Sequence, residues 1–383
     1  VDFEIEYSRV GVKVEPEGTG DLPPGVGNII KRFIRPFDLG KPPLLRVGLV
    51  RLSPQKYLFI HDIHHIIRDG TTSWIFVREF VDLYKGNQLP ELRIQYKDFT
   101  AWQNRMLESE IIKKQEAYWL EVFPGEIPVL NMPTDFFRPG AQSFEGDYIE
   151  FILDKDSSAK VRQLALAHGA TLYMSLLAVY TILLSKYSGQ EDIVVGTPIA
   201  GRPHADLENL IGMFVNTLAM RNYPTPMKTF AQFLKEVKDN ALKAYENQDY
   251  QFEVLVNRLG IAPNPARQSL FDTMFAVQNM APGGSDSQNQ LIKGLVFKRL
   301  KFEEKITQFD IMFHAIEKEE TISFRLLYCT RLFKAETIRL FIQNFKEIIG
   351  MVTNNKDIKL KDIAITHGLF NQEIEVPEAD FEF

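Results

Sequence analysis

A mixed α/β protein in two lobes, each a sheet covered by helices, is the fold that the sequence predicts. Three observations carry this. The chain has 383 residues, and at about 150 residues per domain that is room for two. Short apolar runs of strand character alternate with longer runs at helical spacing. The stretch 124–140 (PGEIPVLNMPTDFFRPG) holds four prolines and two glycines, the composition of a boundary. The expected division is an N-terminal lobe over 1–140, a C-terminal lobe over 141–370 and a linker over 371–383.

Each element has its own reason. Residues 55–60 (QKYLFI) end in an apolar run and read as a buried strand. The polar segment 61–70 (HDIHHIIRDG) follows as a loop, with Asp69 and Gly70 suited to a tight turn. A helix then begins, with Thr71 or Thr72 as the expected cap. Trp74, Ile75, Val77, Phe80, Val81 and Tyr84 recur at helical spacing, and Gly86 stops the helix. A second amphipathic helix covers about 111–122. After the proline-rich stretch, 147–153 reads as a strand and 157–167 as a helix closed by Gly169. Residues 172–187 form a strongly apolar helix with Thr171 as its cap, long enough to be central to a core. Residues 192–196 (DIVVG) are another buried strand, 229–247 a helix and 271–277 a strand. Residues 281–290 (APGGSDSQNQ) form a polar loop. Residues 309–316 and 321–328 alternate as a hairpin does, and 334–352 is the last long helix.

Composition narrows the function. Hydrophobic residues make up 45% and charged residues 25%, which excludes a disordered chain and a disulfide-stapled miniature domain. The net charge of −6 argues against nucleic-acid binding, which needs a basic surface. Cys329 is the single cysteine, so neither an intrachain disulfide nor a cysteine-rich zinc site is available, and the reducing cytoplasm is the expected compartment. No apolar run reaches the ~18 residues of a membrane helix. The chain opens on VDFEIEY, with neither a starting Met nor a signal-peptide pattern, and is expected to be a piece of something longer.

The densest polar cluster is 61–70. With 7 His in the chain, an adjacent pair is expected only about 0.1 times by chance. His64 and His65 sit between a buried strand and a helix start, where free N–H groups and the helix dipole favour negative charge. A histidine beside such donors suits a general base with a nearby oxyanion stabiliser. The plain structural alternative is a pair of satisfied histidines at a strand end. A metal held by His61, His64, His65 and Asp69 is a weaker reading, because three His within five residues need an unusual backbone and no HExxH frame accompanies them. No G-x-S-x-G, P-loop or G-x-G-x-x-G is present, which speaks against a serine hydrolase and a nucleotide binder.

HHIIRDG (64–70) resembles the HHxxxDG signature of the condensation-domain superfamily of nonribosomal peptide synthetases, a fold shared with chloramphenicol acetyltransferase. Alone, it would leave several acyltransferase relatives open. YKDFTAW (96–102) resembles the family's YxDFAxW block, IGMFVNTLAMR (211–221) its IGxFVNT…R block, and NQDYQFE (247–253) its (H/N)QDYPFE block, with Gln251 where Pro is usual. GTPIAGRPH (196–204), SLFDTMF (269–275) and QFDIMF (308–313) match in order, so the resemblance covers the whole chain. PARQSLFD (265–272) is a loose match to RDxSRNPLFD. The family's first helix and a strand with an Arg-His-Glu run have no counterpart here.

The resemblance implies a two-lobed chloramphenicol-acetyltransferase-like fold with its active site in a tunnel between the lobes. An upstream carrier protein would present an aminoacyl or peptidyl donor, a downstream carrier an aminoacyl acceptor, and an amide would form between them. Phosphopantetheine arms of the carriers would enter the tunnel, no cofactor would be bound covalently, and an adenylation domain would be adjacent. His65 would position or deprotonate the acceptor amine, or stabilise the tetrahedral intermediate. Gly70 would offer an N–H to the oxyanion, while His64 and Asp69 would be structural. Asp69 is expected to pair with Arg202 and tie the active-site loop to the other lobe. Trp74 and Asn216 are expected to line the tunnel, Asn216 with an equal claim to a backbone-satisfying role. Tyr96 and Trp102 read as packing residues, Asn247 and Asp249 as holders of a turn, and His204 and His314 as structural. Gly283-Gly284-Ser285 lacks the spacing of a carrier attachment site, so no phosphopantetheine is expected on this chain. An epimerisation domain carries the same HHxxxDG, though the IGMFVNT block favours condensation. A catalytically silent docking platform for a partner enzyme is the alternative from another class.

Overall fold

The computed structural model describes residues 4–9, 25–279, 290–292, 295–297 and 305–365. The expected loop at 281–290, apart from Gln290, and the expected linker at 371–383 lie outside the described residues, as do Gly283, Gly284 and Ser285. The chain divides into two compact units.

The first unit comprises Val1–Met106, Ala200–Val215 and Asp286–Glu303. Its three-stranded sheet has the order β1-β2-β3, with β1 (Ile5–Arg9) parallel to β2 (Leu45–Ser53) and β2 antiparallel to β3 (Lys56–Ile63). Helix α1 (Val26–Phe33) lays Val26 and Ile30 on Val50 and Leu52 of β2. Gly48 of β2 faces the Phe33 ring, where a Cβ would stand 2.8 Å from a ring carbon. Helices α2 (Gly70–Lys85) and α3 (Tyr96–Leu107) follow. Gly86 ends α2 in the left-handed region at φ 84°, a conformation that glycine adopts without a Cβ penalty.

The second unit comprises Leu107–Ile199, Asn216–Ser285 and Glu304–Phe383. In it lie helices α4 (Glu110–Val122), α5 (Lys155–Ala167), α6 (Leu172–Ser188), α7 (Phe230–Glu246), α8 (Phe252–Arg258) and α9 (Ala335–Asn354). Strands β8 (Gln290–Ile292) and β9 (Leu295–Phe297), of the first unit, form a separate short antiparallel pair. The second unit's six-stranded sheet contains β4 (Gly146–Leu153), β5 (Ile193–Ile199), β6 (Asn216–Asn222), β7 (Thr273–Asn279), β10 (Ile311–Glu317) and β11 (Ile322–Cys329), in the order β4-β11-β10-β7-β5-β6. β7 pairs with β5 and β10 in parallel; the other pairings are antiparallel. Helix α6 is apolar nearly all round and buried nearly all round, which is what such a pattern requires. Thr171 accepts the Met174 N–H at its start, 3.2 Å away. Its Tyr180 ring meets Phe275 and Phe313 at 5.5 and 5.3 Å between centroids. Among the described residues no single helix is long and apolar enough to cross a membrane.

The boundary between units falls at 106/107, not at 140. The reason is in α4, whose buried face belongs to the second unit's core. Trp119 donates from Nε1 to the Asn247 carbonyl at 2.9 Å, and Gln115 accepts the Tyr250 N–H at 2.9 Å while donating to Asp249 at 3.2 Å. The proline-rich stretch is no free hinge either. Gln190 Oε1 takes the Asn131 N–H at 2.8 Å and the Leu332 carbonyl takes that of Asp135 at 2.9 Å, so extended backbone without a ladder is satisfied against the second unit. The second correction is at α2. Neither Thr71 nor Thr72 caps it; Asp69 does, and Gly70 is its first residue rather than part of a tight turn.

The loosely matched segment 265–272 builds a buried ionic cluster. Arg267 pairs with Asp272 and Arg138 with Asp310, and the Asp310 N–H donates to the Asp272 carbonyl at 3.0 Å. Asp272 Oδ1 has no hydrogen-bond partner among the described residues. Burial first, and then the Asp310 charge, push the Asp272 carboxyl up to about 6 against the pull of Arg267 and Arg138. The folded state therefore holds this proton more tightly than the unfolded chain, whose aspartates titrate near 3.9. Its contribution is fully present below pH ~3.9 and is lost as pH rises through about 6, a change of roughly 2–3 kcal/mol. Asp272→Asn is expected to flatten the stability of the second unit between pH 4 and about 6, read from urea midpoints. An unaltered slope would remove Asp272 as its source.

Candidate active site

The site residues follow from the end of β3. His64 leaves the strand with its N–H on the Leu44 carbonyl at 3.0 Å. Its Nδ1 accepts the Ile66 N–H at 3.1 Å and so caps the single 3-10 turn His65–Ile67. That bond fixes the neutral tautomer with its proton on Nε2. The Phe37 ring meets the His64 ring edge-on at 5.9 Å, and the Arg46 guanidinium lies 3.6 Å from the Phe37 centroid. With His64 held on both sides, His65 is the first residue of the turn and its side chain is exposed. Of the pair, His64 is built into the structure and His65 is the one offered to solvent.

The turn runs directly into Asp69, which is 2% exposed and caps α2. Its carboxylate accepts four bonds. Thr72 N–H reaches Oδ1 at 2.7 Å, Phe214 N–H reaches Oδ2 at 3.1 Å, and the Arg202 guanidinium supplies Nη1 to Oδ2 at 2.6 Å and Nη2 to Oδ1 at 3.1 Å. Burial alone would raise the Asp69 carboxyl, but the Arg202 bond, the Thr72 N–H, the Arg202 charge and the Phe214 N–H together hold it below the usual carboxylate range. Asp69 is therefore a fixed anion, not a proton donor.

Arg202 is as fully engaged. It donates to the carbonyls of Leu207 and Leu210, both at 3.2 Å, and its Cζ lies 4.1 Å from the Phe214 ring centroid. Arg202 packs in the same unit as Asp69, since Ala200–Val215 belongs to the first unit. The ion pair is thus internal to that unit, which corrects the expectation that it would tie the loop to the other lobe.

The clamp is braced by Tyr96, read from the sequence as a packing residue, by Thr72, read there as a cap, and by Gly212, which sequence reasoning passed over. The Thr72 hydroxyl, buried completely, donates to the Gly212 carbonyl at 2.7 Å and accepts the Gly212 N–H at 3.0 Å. Tyr96 OH donates to the Met213 carbonyl at 2.7 Å, and its ring lies so close that a Cβ on Gly212 would stand 2.2 Å from a ring carbon. Phe99, Leu207, Leu210 and Phe214 form the apolar cluster beneath. The YKDFTAW and IGMFV blocks therefore meet, and both serve to place the Phe214 N–H that donates to Asp69. Gly201 has φ +62°, and a Cβ there would stand 1.8 Å from the Phe214 carbonyl oxygen. Gly201→Ala is expected to push Phe214 off Asp69 and cost roughly 2–3 kcal/mol of first-unit stability, read from urea midpoints. A cost below 0.5 kcal/mol would mean that the close approach is not needed.

The remaining site residues separate. Trp74 lies on α2, 40% exposed, with the Arg78 guanidinium 4.6 Å from its ring centroid. Gly70 is exposed, and as the first residue of α2 its N–H has no acceptor within the helix. Asn216 opens β6 in the second unit and its amide is spent on backbone: Nδ2 donates to the Gln248 and Tyr250 carbonyls at 2.8 and 2.9 Å, and Oδ1 accepts from Thr217 and Phe252 at 2.8 and 3.2 Å. Of its two claims, the structural one accounts for every polar atom. Among the described residues no group of three or more His, Cys, Asp or Glu could hold a metal ion. His64 Nδ1 and both Asp69 oxygens are already taken, so the set His61, His64, His65 and Asp69 does not converge as ligands.

Comparison with known proteins gives the family. The family model described as Condensation domain matches residues 13–375. The chain is 50% identical over 339 residues to gramicidin S synthase 2 of Aneurinibacillus migulanus, covering 88% of this chain and 8% of that protein. It is 49% identical to tyrocidine synthase 3 of Brevibacillus parabrevis (88% and 5% covered) and 47% identical to bacitracin synthase 3 of Bacillus licheniformis (95% and 6% covered). The chain thus spans under a tenth of the length of these relatives. Among solved structures it is similar in fold to a four-domain nonribosomal peptide synthetase bound to AMP and glycine, with TM-score 0.82, 20% identity and coverage of 96% of this chain and 28% of that one. It is also similar to the X-domain in complex with OxyB from teicoplanin biosynthesis, with TM-score 0.81, 20% identity and coverage of 89% and 77%. A match to the family model along nearly its whole length, on a two-unit α/β fold of the chloramphenicol-acetyltransferase type, makes this chain a member of the condensation-domain family, the acyltransferase-type domains of nonribosomal peptide synthetases.

Proposed function

We propose that this chain forms an amide bond between an aminoacyl or peptidyl thioester on an upstream carrier protein and the amine of an aminoacyl thioester on a downstream carrier. The observation that carries the reading is the division of labour in HHIIRDG: His64 and Asp69 are consumed by structure, and His65 is presented. A silent docking platform has no use for an exposed histidine on so firmly braced a turn. The reaction asks little of the protein, because the thioester is already activated. The acceptor nitrogen attacks the donor carbonyl, a C–N bond forms, the C–S bond breaks and the thiol leaves with a proton. His65 would hold or take the proton that the amine loses, and the Gly70 N–H would face the oxyanion. Phosphopantetheine arms belong to the carriers and arrive as part of the substrates. An adjacent adenylation domain would load them, in the cytoplasm, where the buried Cys329 stays reduced.

The test is a reaction of the wild-type domain with one loaded donor carrier and one loaded acceptor carrier, followed by intact mass spectrometry and chiral analysis. A dipeptidyl group on the acceptor carrier is the expected result. An inverted donor α-carbon without an amide would replace the proposal with epimerisation. Binding of both carriers with no product across a panel of substrates would replace it with the docking platform.

A further inference from the structure

Residues 46, 48, 50 and 52 of β2 share one face of the strand. Gly48 meets the Phe33 ring there, and Val50 and Leu52 pack on α1. Arg46 is the next position on that face. An arginine is rarely turned toward the interior unless it is paired, and Arg46 has four partners. Three of them lie in 34–44, the segment that leaves α1 and joins no strand. Nη1 donates to the Arg35 carbonyl at 2.6 Å, Nη2 donates to the Pro36 carbonyl at 2.8 Å, and the guanidinium carbon lies 3.6 Å from the Phe37 centroid. The fourth is Asp62, opposite Arg46 in the β2–β3 register, whose Oδ2 accepts from Nη1 at 2.8 Å. Both side chains of this ion pair are mostly buried.

Phe37 belongs to neither apolar cluster of the first unit among the described residues. The guanidinium lying on its face, with the two carbonyls before it held by the same group, is what fixes the plane of the ring. That ring in turn meets His64 edge-on at 5.9 Å, and His64 caps the turn that begins at His65. Arg46, Phe37, His64 and His65 form one line of support inside the first unit, rooted in a strand and ending at an exposed side chain. His65 has no packing of its own to aim it, so its direction is inherited from the turn. Lysine could not stand in for Arg46: a point charge on a flexible stem can keep Asp62, but it cannot serve two carbonyls and lie flat on a ring.

We propose that Arg46 is a positioning residue for amide formation: through Phe37 and His64 it sets the direction in which the His65 side chain leaves its turn. The proposal rests on the condensation reading, in which His65 acts on the acceptor amine. The reaction is sensitive to such aim, because a displacement of about 1 Å at a reacting group can cost about a hundredfold in rate.

The experiment places Arg46→Lys and Phe37→Leu in the wild-type and the His65→Ala backgrounds. Amide formation between loaded donor and acceptor carriers is followed by intact mass spectrometry, for as long as the slow His65→Ala reaction requires. In the wild-type background each substitution is expected to lower kcat about ten- to a hundredfold, with KM for either carrier changed by less than about twofold. In the His65→Ala background, where no side chain is left to aim, the same substitutions are expected to change the rate by less than about twofold. Loss of general scaffolding would slow both backgrounds alike, so this coupling separates positioning from structure. Phe37→Leu keeps the ion pair and both carbonyl bonds, and it therefore decides the matter even where Arg46→Lys lowers the urea midpoint. Unchanged kcat in both variants, or a loss of equal size with and without His65, would overturn the proposal while leaving condensation intact. If the wild type makes no amide with any pair of carriers, the condensation reading fails and the proposal falls with it.

Discussion

Asp69→Ala is expected to destabilise the first unit by roughly 3–5 kcal/mol, the range for removing one partner of a buried charge pair. The Arg202 side chain is 4% exposed and that of Asp69 fully buried, so the guanidinium would remain in place without its anion. Two backbone donors, Thr72 N–H and Phe214 N–H, would lose their acceptor as well. Asp69→Asn keeps an acceptor for one of them and should cost less. Arg202→Lys keeps the charge but not the fork that serves both Asp69 oxygens and two carbonyls, so it should fall between. The chain has three tryptophans; Trp74 and Trp102 lie in the first unit and Trp119 in the second. Fluorescence of a Trp119→Phe background therefore reports on the first unit alone, which matters because two units need not unfold together. Urea midpoints unchanged by Asp69→Ala would show that the clamp contributes nothing. The pH dependence adds a second check. The Asp69 carboxyl is lowered in the fold, so its contribution is present above the unfolded value near 3.9 and is lost as pH falls through the folded one. The Asp69→Ala variant should lack that acid-induced loss.

Much of this arrangement was legible in the residues, and what was not has physical causes. Helix α6 was plain because apolar side chains on every face leave burial as the only outcome, and Thr171 marks its start. The hairpin β10–β11 was plain because its alternation matches the pleat. Helix α1 and strand β2 went unread: α1 has eight residues, and the glycine and arginines of β2 break its alternation. Strand β6 was hidden inside a motif read for chemistry. The α2 cap was misassigned because Thr71 and Thr72 are good caps by type, and only the contacts show that Asp69 takes the Thr72 N–H and that Thr72 turns its hydroxyl to Gly212. The unit boundary was misplaced because proline content reports an extended backbone, not the partner against which that backbone packs. At the site, residue types and spacing brought forward His64, His65 and Asp69, and the family resemblance brought forward Arg202. They could not bring forward Gly201 and Gly212, whose need for a missing Cβ exists only once Phe214 and Tyr96 are in place.

His65→Ala is expected to lower the rate of amide formation by about two to four orders of magnitude, the range for loss of a positioned acid or base, with little change in stability. The contrast with its neighbour makes the expectation specific. His64→Ala removes the acceptor that caps the 3-10 turn and the ring that packs on Phe37, so it should lose roughly 1 kcal/mol of first-unit stability together with rate. The exposed His65 side chain has no such duty in the fold. A fall in rate at constant urea midpoint therefore assigns chemistry to His65, and a fall in both would place it with the scaffold. The pH profile then separates its roles. If His65 takes the amine proton, kcat of the wild type carries a titration that His65→Ala lacks, and His65→Gln, which can hydrogen-bond but not accept the proton, remains as slow as alanine. If His65 only orients the acceptor, His65→Gln recovers a large part of the rate and the wild-type titration is absent. A loss confined to KM would make it a binding contact. Wild-type kcat and KM in His65→Ala would remove it from the reaction altogether, and with it the reason that this turn is braced by Asp69 and Arg202 while its first side chain is left free.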